Sequence, residues 1–312
     1  MYGTAMMGLL GGGGGGNLFA ATPYTGNGAA RSIVTGQNLA AGGLVWLFNT
    51  EGSGTTPTKG VFDTERGAIK RLDIVEDSQE FNTTNSLTAF NGNGFGLGVD
   101  TFFNGNTTPY IALTWLKQAG YLDVITYGGT SPTSNVLTHD NGAAPAMIIF
   151  KSRSNPYQWW VYHKSLNGGV QPERYYIRLN DNQTPVLSAD FMAFTAPTST
   201  EITLGVSATI NQSGQTFVAY SFAEKAGVSK FGEFSGTTTV NTGLSSLKAI
   251  LTKSTTSVGN WYFFYEDGGT WYHFVLDDPF ARQTGLISVS GGDFTLSGAA
   301  AATTTGIYAA WG

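Results

Sequence analysis

The chain has 312 residues, 41% of them hydrophobic and 13% aromatic, which supplies real cores and excludes disorder along its whole length. A net charge of −5 with 16 Lys and Arg argues against a nucleic-acid partner held through its phosphates. With no Cys, disulfides and thiolate metal sites are excluded, while 43 Gly beside 12% charged residues is the balance of a strand-and-turn protein.

The first segment, Met1 to Gly16, opens with the apolar run Ala5-Met6-Met7-Gly8-Leu9-Leu10. It lacks the basic start and cleavage site of a signal peptide and the roughly twenty apolar residues of a membrane span, so no membrane insertion is expected. Gly11 to Gly16 read as a flexible joint, making 1–17 a flexible Gly-rich N-terminal arm. Its plain reading is a disordered tail. Its sharper reading is an apolar hook through Met6, Met7, Leu9 and Leu10 that docks on another protein.

After the arm, a pattern returns three times. Tyr24-Thr25-Gly26 recurs as Tyr127-Gly128-Gly129 and Phe234-Ser235-Gly236. Each is followed by an apolar run: Leu44-Val45-Trp46-Leu47, Met147-Ile148-Ile149-Phe150 and Ala249-Ile250-Leu251. Each repeat closes on Tyr110-Ile111-Ala112-Leu113, Phe217-Val218-Ala219-Tyr220 or Ile307-Tyr308-Ala309-Ala310. Such a long period suits tandem small domains better than a solenoid. The expected fold is all-β: three tandem β-sandwich units of jelly-roll type or immunoglobulin size, over 18–116, 117–227 and 228–312. Lys117-Gln118-Ala119-Gly120 and Glu224-Lys225-Ala226-Gly227 read as tight connectors.

In unit one, Thr64 to Leu72 is the best candidate for a turn or two of helix, and Asn104-Gly105-Asn106 reads as a turn before the strand at Tyr110. In unit two, Met147 to Phe150 is predicted to pair with the strand of Trp159 to Tyr162. Ile202 to Ile210 alternates as a half-buried strand, and Asn211 to Gly214 is predicted to turn it into Thr216 to Ser221 as a hairpin. In unit three, Ala249 to Leu251 is predicted to pair with Trp261 to Tyr265. The strand ending at Trp311-Gly312 is expected to complete a sheet, so removing six C-terminal residues should destabilise that unit.

No motif selects a catalytic constellation. His139, His163 and His273 lie in different units without metal-ligand spacing, and His163 reads as the polar end of a strand matching Asp63. Asp63 and Glu65 before Arg66 suggest a salt bridge that stabilises a turn. Asp277-Asp278 and Asp181-Asn182 carry oxygen ligands suited to Ca²⁺, although loop carboxylates of sandwiches are ordinarily solvated. No cofactor is expected. Aromatic pairs remain: successive strand residues face opposite sides, so one of Trp159 and Trp160 is expected to be exposed or to cover a seam, as is one of Trp271 and Tyr272. These four are the candidate binding residues, for a protein partner or for sugar rings.

Tyr-Thr-Gly-Asn-Gly at 24–28, Gly-Leu-Val-Trp at 43–46 and Phe-Asp-Thr-Glu-Arg-Gly at 62–67 form a recognisable set. With Gly-Phe-Gly-Leu-Gly at 94–98 and Trp-Val-Tyr-His-Lys-Ser-Leu at 160–166, they resemble a family of repeat-containing proteins of unassigned function encoded by tailed bacteriophages of marine and freshwater hosts. Members sit among virion and tail-fibre genes. The resemblance covers 18–240 well and the last unit weakly. It implies a non-enzymatic virion structural protein, assembled in the host cytoplasm, with other virion proteins and further copies of itself as partners and a host-surface glycan as a further one. Capsid decoration and a lectin-like carbohydrate-binding module are the alternatives, and a depolymerase is the least favoured.

Overall fold

Short β-branched and aromatic runs punctuated by Gly, Asn and Ser clusters fold as antiparallel strands throughout, giving an all-β, sandwich-type architecture. The computed structural model describes residues 17–51, 59–278, 281–301 and 305–312.

The first stretch holds β1 (Phe19–Thr25), β2 (Arg31–Val34), β3 (Gly43–Asn49), β4 (Lys59–Asp63) and β5 (Lys70–Asp73). It continues with β6 (Phe81–Asn82), β7 (Leu87–Asn91), β8 (Gly94–Leu97), the helical turn α1 (Thr101–Asn104) and β9 (Pro109–Leu116). The second holds β10 (Leu122–Gly128), β11 (Asn135–Thr138), β12 (Met147–Ser152), β13 (Trp160–His163) and β14 (Tyr175–Arg178). After them come β15 (Val186–Leu187), α2 (Ala189–Met192), β16 (Glu201–Leu204), α3 (Ala208–Asn211) and β17 (Thr216–Phe222). The third holds β18 (Ser229–Ser235), β19 (Val240–Asn241), β20 (Ala249–Ser254), β21 (Trp261–Asp267) and β22 (Thr270–Val275). It ends with β23 (Gln283–Thr284), β24 (Ile287–Ser290), β25 (Asp293–Leu296) and β26 (Thr305–Trp311).

Each stretch builds one six-stranded sheet in the same order: β1-β9-β3-β4-β5-β6, β10-β17-β12-β13-β14-β15 and β18-β26-β20-β21-β22-β23. A small sheet covers one face of each, namely β2-β8-β7, β11-β16 and β19-β25-β24. In the second unit the helical turn α2 takes the place of an outer strand.

All seven residues of β3 are buried because both faces of its sheet are covered. Val45 and Leu47 point into the unit's own core with Ile33, Phe95 and Phe103. Leu44, Trp46 and Phe48 enter a different core, shared by all three units. Met147 and Ile149 enter that shared core from the second sheet, and Ala249 and Leu251 from the third. At its centre stand Trp115, Phe222 and Trp311, each paired across its ladder with the matching residue of the neighbouring strand: Leu44, Met147 and Ala249. The three rings meet one another with centroids 6.2, 5.5 and 5.8 Å apart. The three sandwiches therefore close on a common aromatic centre.

Three sequence readings need correction. Thr64 to Leu72 holds no helix: the Asp63 carboxylate accepts the Arg66 N–H at 2.9 Å, Gly67 turns back at φ +96°, and β5 begins at Lys70. Ile202 to Ile210 is not one strand. A Cβ at Gly205 would lie 2.4 Å from the Asp190 carbonyl oxygen, so β16 stops there and α3 carries Ile210 into the core. Consequently β16 and β17 form no hairpin: β16 pairs with β11, while β17 lies between β10 and β12. The predicted pairings β12–β13 and β20–β21 are observed.

Candidate functional site

Most perturbed polar groups lie where neighbouring units meet. Between the first and second units, the Trp159 indole N–H donates to the Asp73 carbonyl at 2.8 Å and the Lys151 ammonium donates to the carbonyls of Asp77, at 2.8 Å, and Tyr157. Between the second and third, the Trp261 indole donates to the Arg178 carbonyl at 2.6 Å, and Lys253 donates to those of Asp181 and Gly259. Between the third and first, Lys59 donates to the carbonyls of Val275, at 2.5 Å, Leu276 and Asp278. The ring is thus closed by three buried lysines: Lys59 grips three main-chain carbonyls of the third unit, while Lys151 and Lys253 each tie one carbonyl of the preceding unit to one of their own. Burial pushes each down to about 8, with Asp278 pulling partly the other way on Lys59, Asp77 on Lys151 and Asp277 on Lys253.

The polar ends of β4 and β13 serve the same seams. Asp63 accepts from Arg66 Nε at 2.5 Å and from the Tyr220 hydroxyl of the second unit at 2.8 Å. Arg66 also donates to Glu80, which takes the Arg153 guanidinium through two bonds of 2.8 and 3.0 Å. Burial pushes Asp73 up to about 6. His163 occupies the register of Asp63, opposite Met147 as Asp63 is opposite Leu44. Its Nε2–H donates to the Tyr308 carbonyl of the third unit at 3.0 Å, and Nδ1 accepts the Ser165 N–H at 3.1 Å. Both ring nitrogens are committed in the neutral form. Burial, with Lys164 adding repulsion, lowers its pKa to about 4.

The structure separates the four candidate aromatics. Trp159 and Trp160 are not exposed: their relative exposures are 0% and 8%. Both faces of their sheet are covered, so Trp159 enters the shared core beside the seam while Trp160 stacks on Tyr176 at 3.7 Å in the second unit's core. Trp271 and Tyr272 are half-buried, on the third unit's core and the shared core respectively, with the Arg282 guanidinium 4.0 Å from the Tyr272 ring centroid. Met6, Met7, Leu9 and Leu10 lie outside the described residues. Asp181 and Asp278 present main-chain carbonyls to Lys253 and Lys59. Among the described residues no group of three or more His, Cys, Asp or Glu is placed to hold a metal, and no helix is long and apolar enough to cross a membrane.

The sequence reading missed the three lysines and the Glu80–Arg153 pair. For two of the lysines the signal was present in Phe150-Lys151-Ser152 and Leu251-Thr252-Lys253, where a long cation ends an apolar run without leaving the strand.

The family described as "Domain of unknown function (DUF7483)" matches residues 14–270. No curated protein matches the chain.

Proposed function

The chain belongs to this family of unknown function, and from its geometry we propose that it is a non-enzymatic structural protein of a bacteriophage virion, carried on the tail and able to meet the host surface. The observation that supports this reading is the closed ring of three sandwiches around Trp115, Phe222 and Trp311. Ring closure takes up Lys59, Lys151, Lys253, Asp63 and His163 as ties between units, in the manner of a subunit interface. One chain thereby has the threefold-like form that tail fibres commonly reach by trimerising. Other virion proteins and further copies of the chain are its partners, and the virion, assembled in the host cytoplasm, is its location. The same threefold-like form also suits a junction of a capsid lattice, which makes capsid decoration the second reading.

Quantitative mass spectrometry of purified particles, counting this chain against the major capsid protein, tests the proposal. A few copies per hundred capsid subunits is the expected result. A ratio near one moves the chain to capsid decoration, and its absence from particles overturns the virion role.

A further inference from the structure

Three seams of one ring would have one structure if their residues matched, and they do not. The residue before the last strand of one six-stranded sheet (β6, β15 or β23) and the residue after the third strand of the next (β12, β20 or β3) occupy corresponding places at every seam. Between the first and second units the Glu80 N–H donates to the Arg153 carbonyl at 2.9 Å, and their side chains form the bidentate pair described above. Between the third and first units the Arg282 N–H donates to the Thr50 carbonyl at 3.1 Å, and Arg282 borders a cleft of about 260 Å³ with Pro23 and Pro109.

Between the second and third units the corresponding residues are Pro185, immediately before β15, and Thr255, immediately after β20. Proline has no N–H to donate, and threonine cannot fill the space of an arginine. A cleft of about 460 Å³ opens there, lined by Tyr175, Thr184, Pro185, Glu233, Thr255 and Thr305 among others. It adjoins a second cleft of about 400 Å³ that shares Glu233 and Thr305 and continues past Ser235, Thr238, Thr239 and Asn241. The two share a wall along β18 and make a groove of mixed polar and apolar lining that runs into the seam.

We infer that this groove between the second and third units binds a neutral or amino-bearing oligosaccharide segment. Its walls mix hydroxyls and amides, which exchange hydrogen bonds with sugar hydroxyls in both directions, with apolar surface that suits the C–H faces of sugar rings, and Tyr175 offers a half-buried ring for such a face. Glu233, which is exposed, is the one charged side chain among the described lining residues. A carboxylate there accepts from hydroxyls or an ammonium and repels uronic acids, phosphates and nucleic acid. The volume lies within the roughly 300–1,000 Å³ of small-molecule sites. A peptide would look for a buried apolar anchor pocket instead. The inference deepens the host-surface part of the proposed function, and it places the ligand at the seam between the second and third units, whose cleft is larger than the one beside Arg282.

The test uses the full chain on an array of neutral, amino-bearing and uronic-acid oligosaccharides, with hits titrated by calorimetry. The expected result is binding to a neutral or amino-bearing probe. The double variant Pro185→Glu with Thr255→Arg rebuilds the plug of the first seam and should weaken that binding at least tenfold with the melting temperature retained. Glu233→Lys, at an exposed position that cannot unfold the chain, should weaken it likewise. Val34→Lys, at an exposed position of the first unit away from the groove, should leave it unchanged. Binding of no neutral or amino-bearing probe, preference for uronic acids, or equal binding by the Glu233→Lys chain overturns the inference. Because the purified chain is used, binding here with no copies in particles would sink the virion role and leave the groove standing.

Discussion

Replacing Trp115 by Ala removes one of the three rings at the centre of the molecule. The side chain is fully buried, and an indole of this kind hides roughly 200 Å² of surface, about 5 kcal/mol at ~25 cal/mol per Å². Its Nε1–H has no hydrogen-bond partner, so its removal returns about 1 kcal/mol of desolvation cost. The net loss is about 4 kcal/mol, within the ~3–5 kcal/mol of buried Trp truncations. At ~2 °C per kcal/mol for a chain of this size, melting should drop by about 8 °C. Trp115→Phe copies the residue at the corresponding position, Phe222, and deletes the orphan N–H, so it should stay within about 1 kcal/mol of the parent. Urea unfolding followed by both circular dichroism and tryptophan fluorescence is the assay. Because Trp115 touches both Phe222 and Trp311, the two probes should report one coincident transition that shifts as a whole. A loss below ~2 kcal/mol for the Ala variant, or a split transition in which two units keep their parental midpoint, would refute the shared core as a unit of stability.

Two further outcomes follow from the seams. Arg66→Gln removes the counter-charge of the fully buried Asp63 carboxylate and should cost about 3–5 kcal/mol in chemical denaturation; a loss under ~1 kcal/mol would mean that Tyr220 and the main-chain N–H of residue 66 satisfy it. His163, held neutral near pKa 4 when folded against about 6.5 unfolded, contributes stability that is complete above pH 6.5 and lost as pH falls towards 4, by about 3 kcal/mol. Asp73, raised to about 6, works in the opposite sense in part of that window, so the measurement is the difference in pH slope between the parent and His163→Gln. Equal slopes would refute an imidazole that burial holds neutral in the folded chain.

The strands of the six-stranded sheets were legible because both of their faces are covered, which turns alternation into unbroken apolar runs such as Leu44 to Leu47 and Met147 to Phe150. For the aromatics the seam alternative holds, since Trp159 reaches the first unit, while neither Trp159 nor Trp160 is exposed. Alternation assigns Trp159 and Trp160 to opposite faces correctly, but a chain read locally gives no sign that the far face meets two other sheets. Ile202 to Ile210 failed for a different reason: a short strand followed by one helical turn can imitate the period of a longer strand, and the close approach of Gly205 to Asp190 is a tertiary fact. Asp63 and Arg66, three residues apart, were readable as a pair; Glu80 and Arg153, far apart in sequence, were not. The open groove depends on comparing Pro185 with Glu80 and Arg282, a correspondence that only strand register reveals.

The units are joined by residues 117–121 and 223–228, spans too short to let neighbours drift apart. In a trimer of separate chains the seams would be bimolecular contacts, and dilution would melt them by mass action. Here each unit is presented to the next at an effective concentration in the millimolar range or above, whatever the number of molecules present. Assembly of the ring therefore needs no encounter between molecules. Covalent joining has a second effect. A homotrimer must repeat any substitution at all three seams, whereas this chain changes one seam and keeps the other two as clamps. A ligand-sized opening can then be cut into the ring without loosening it.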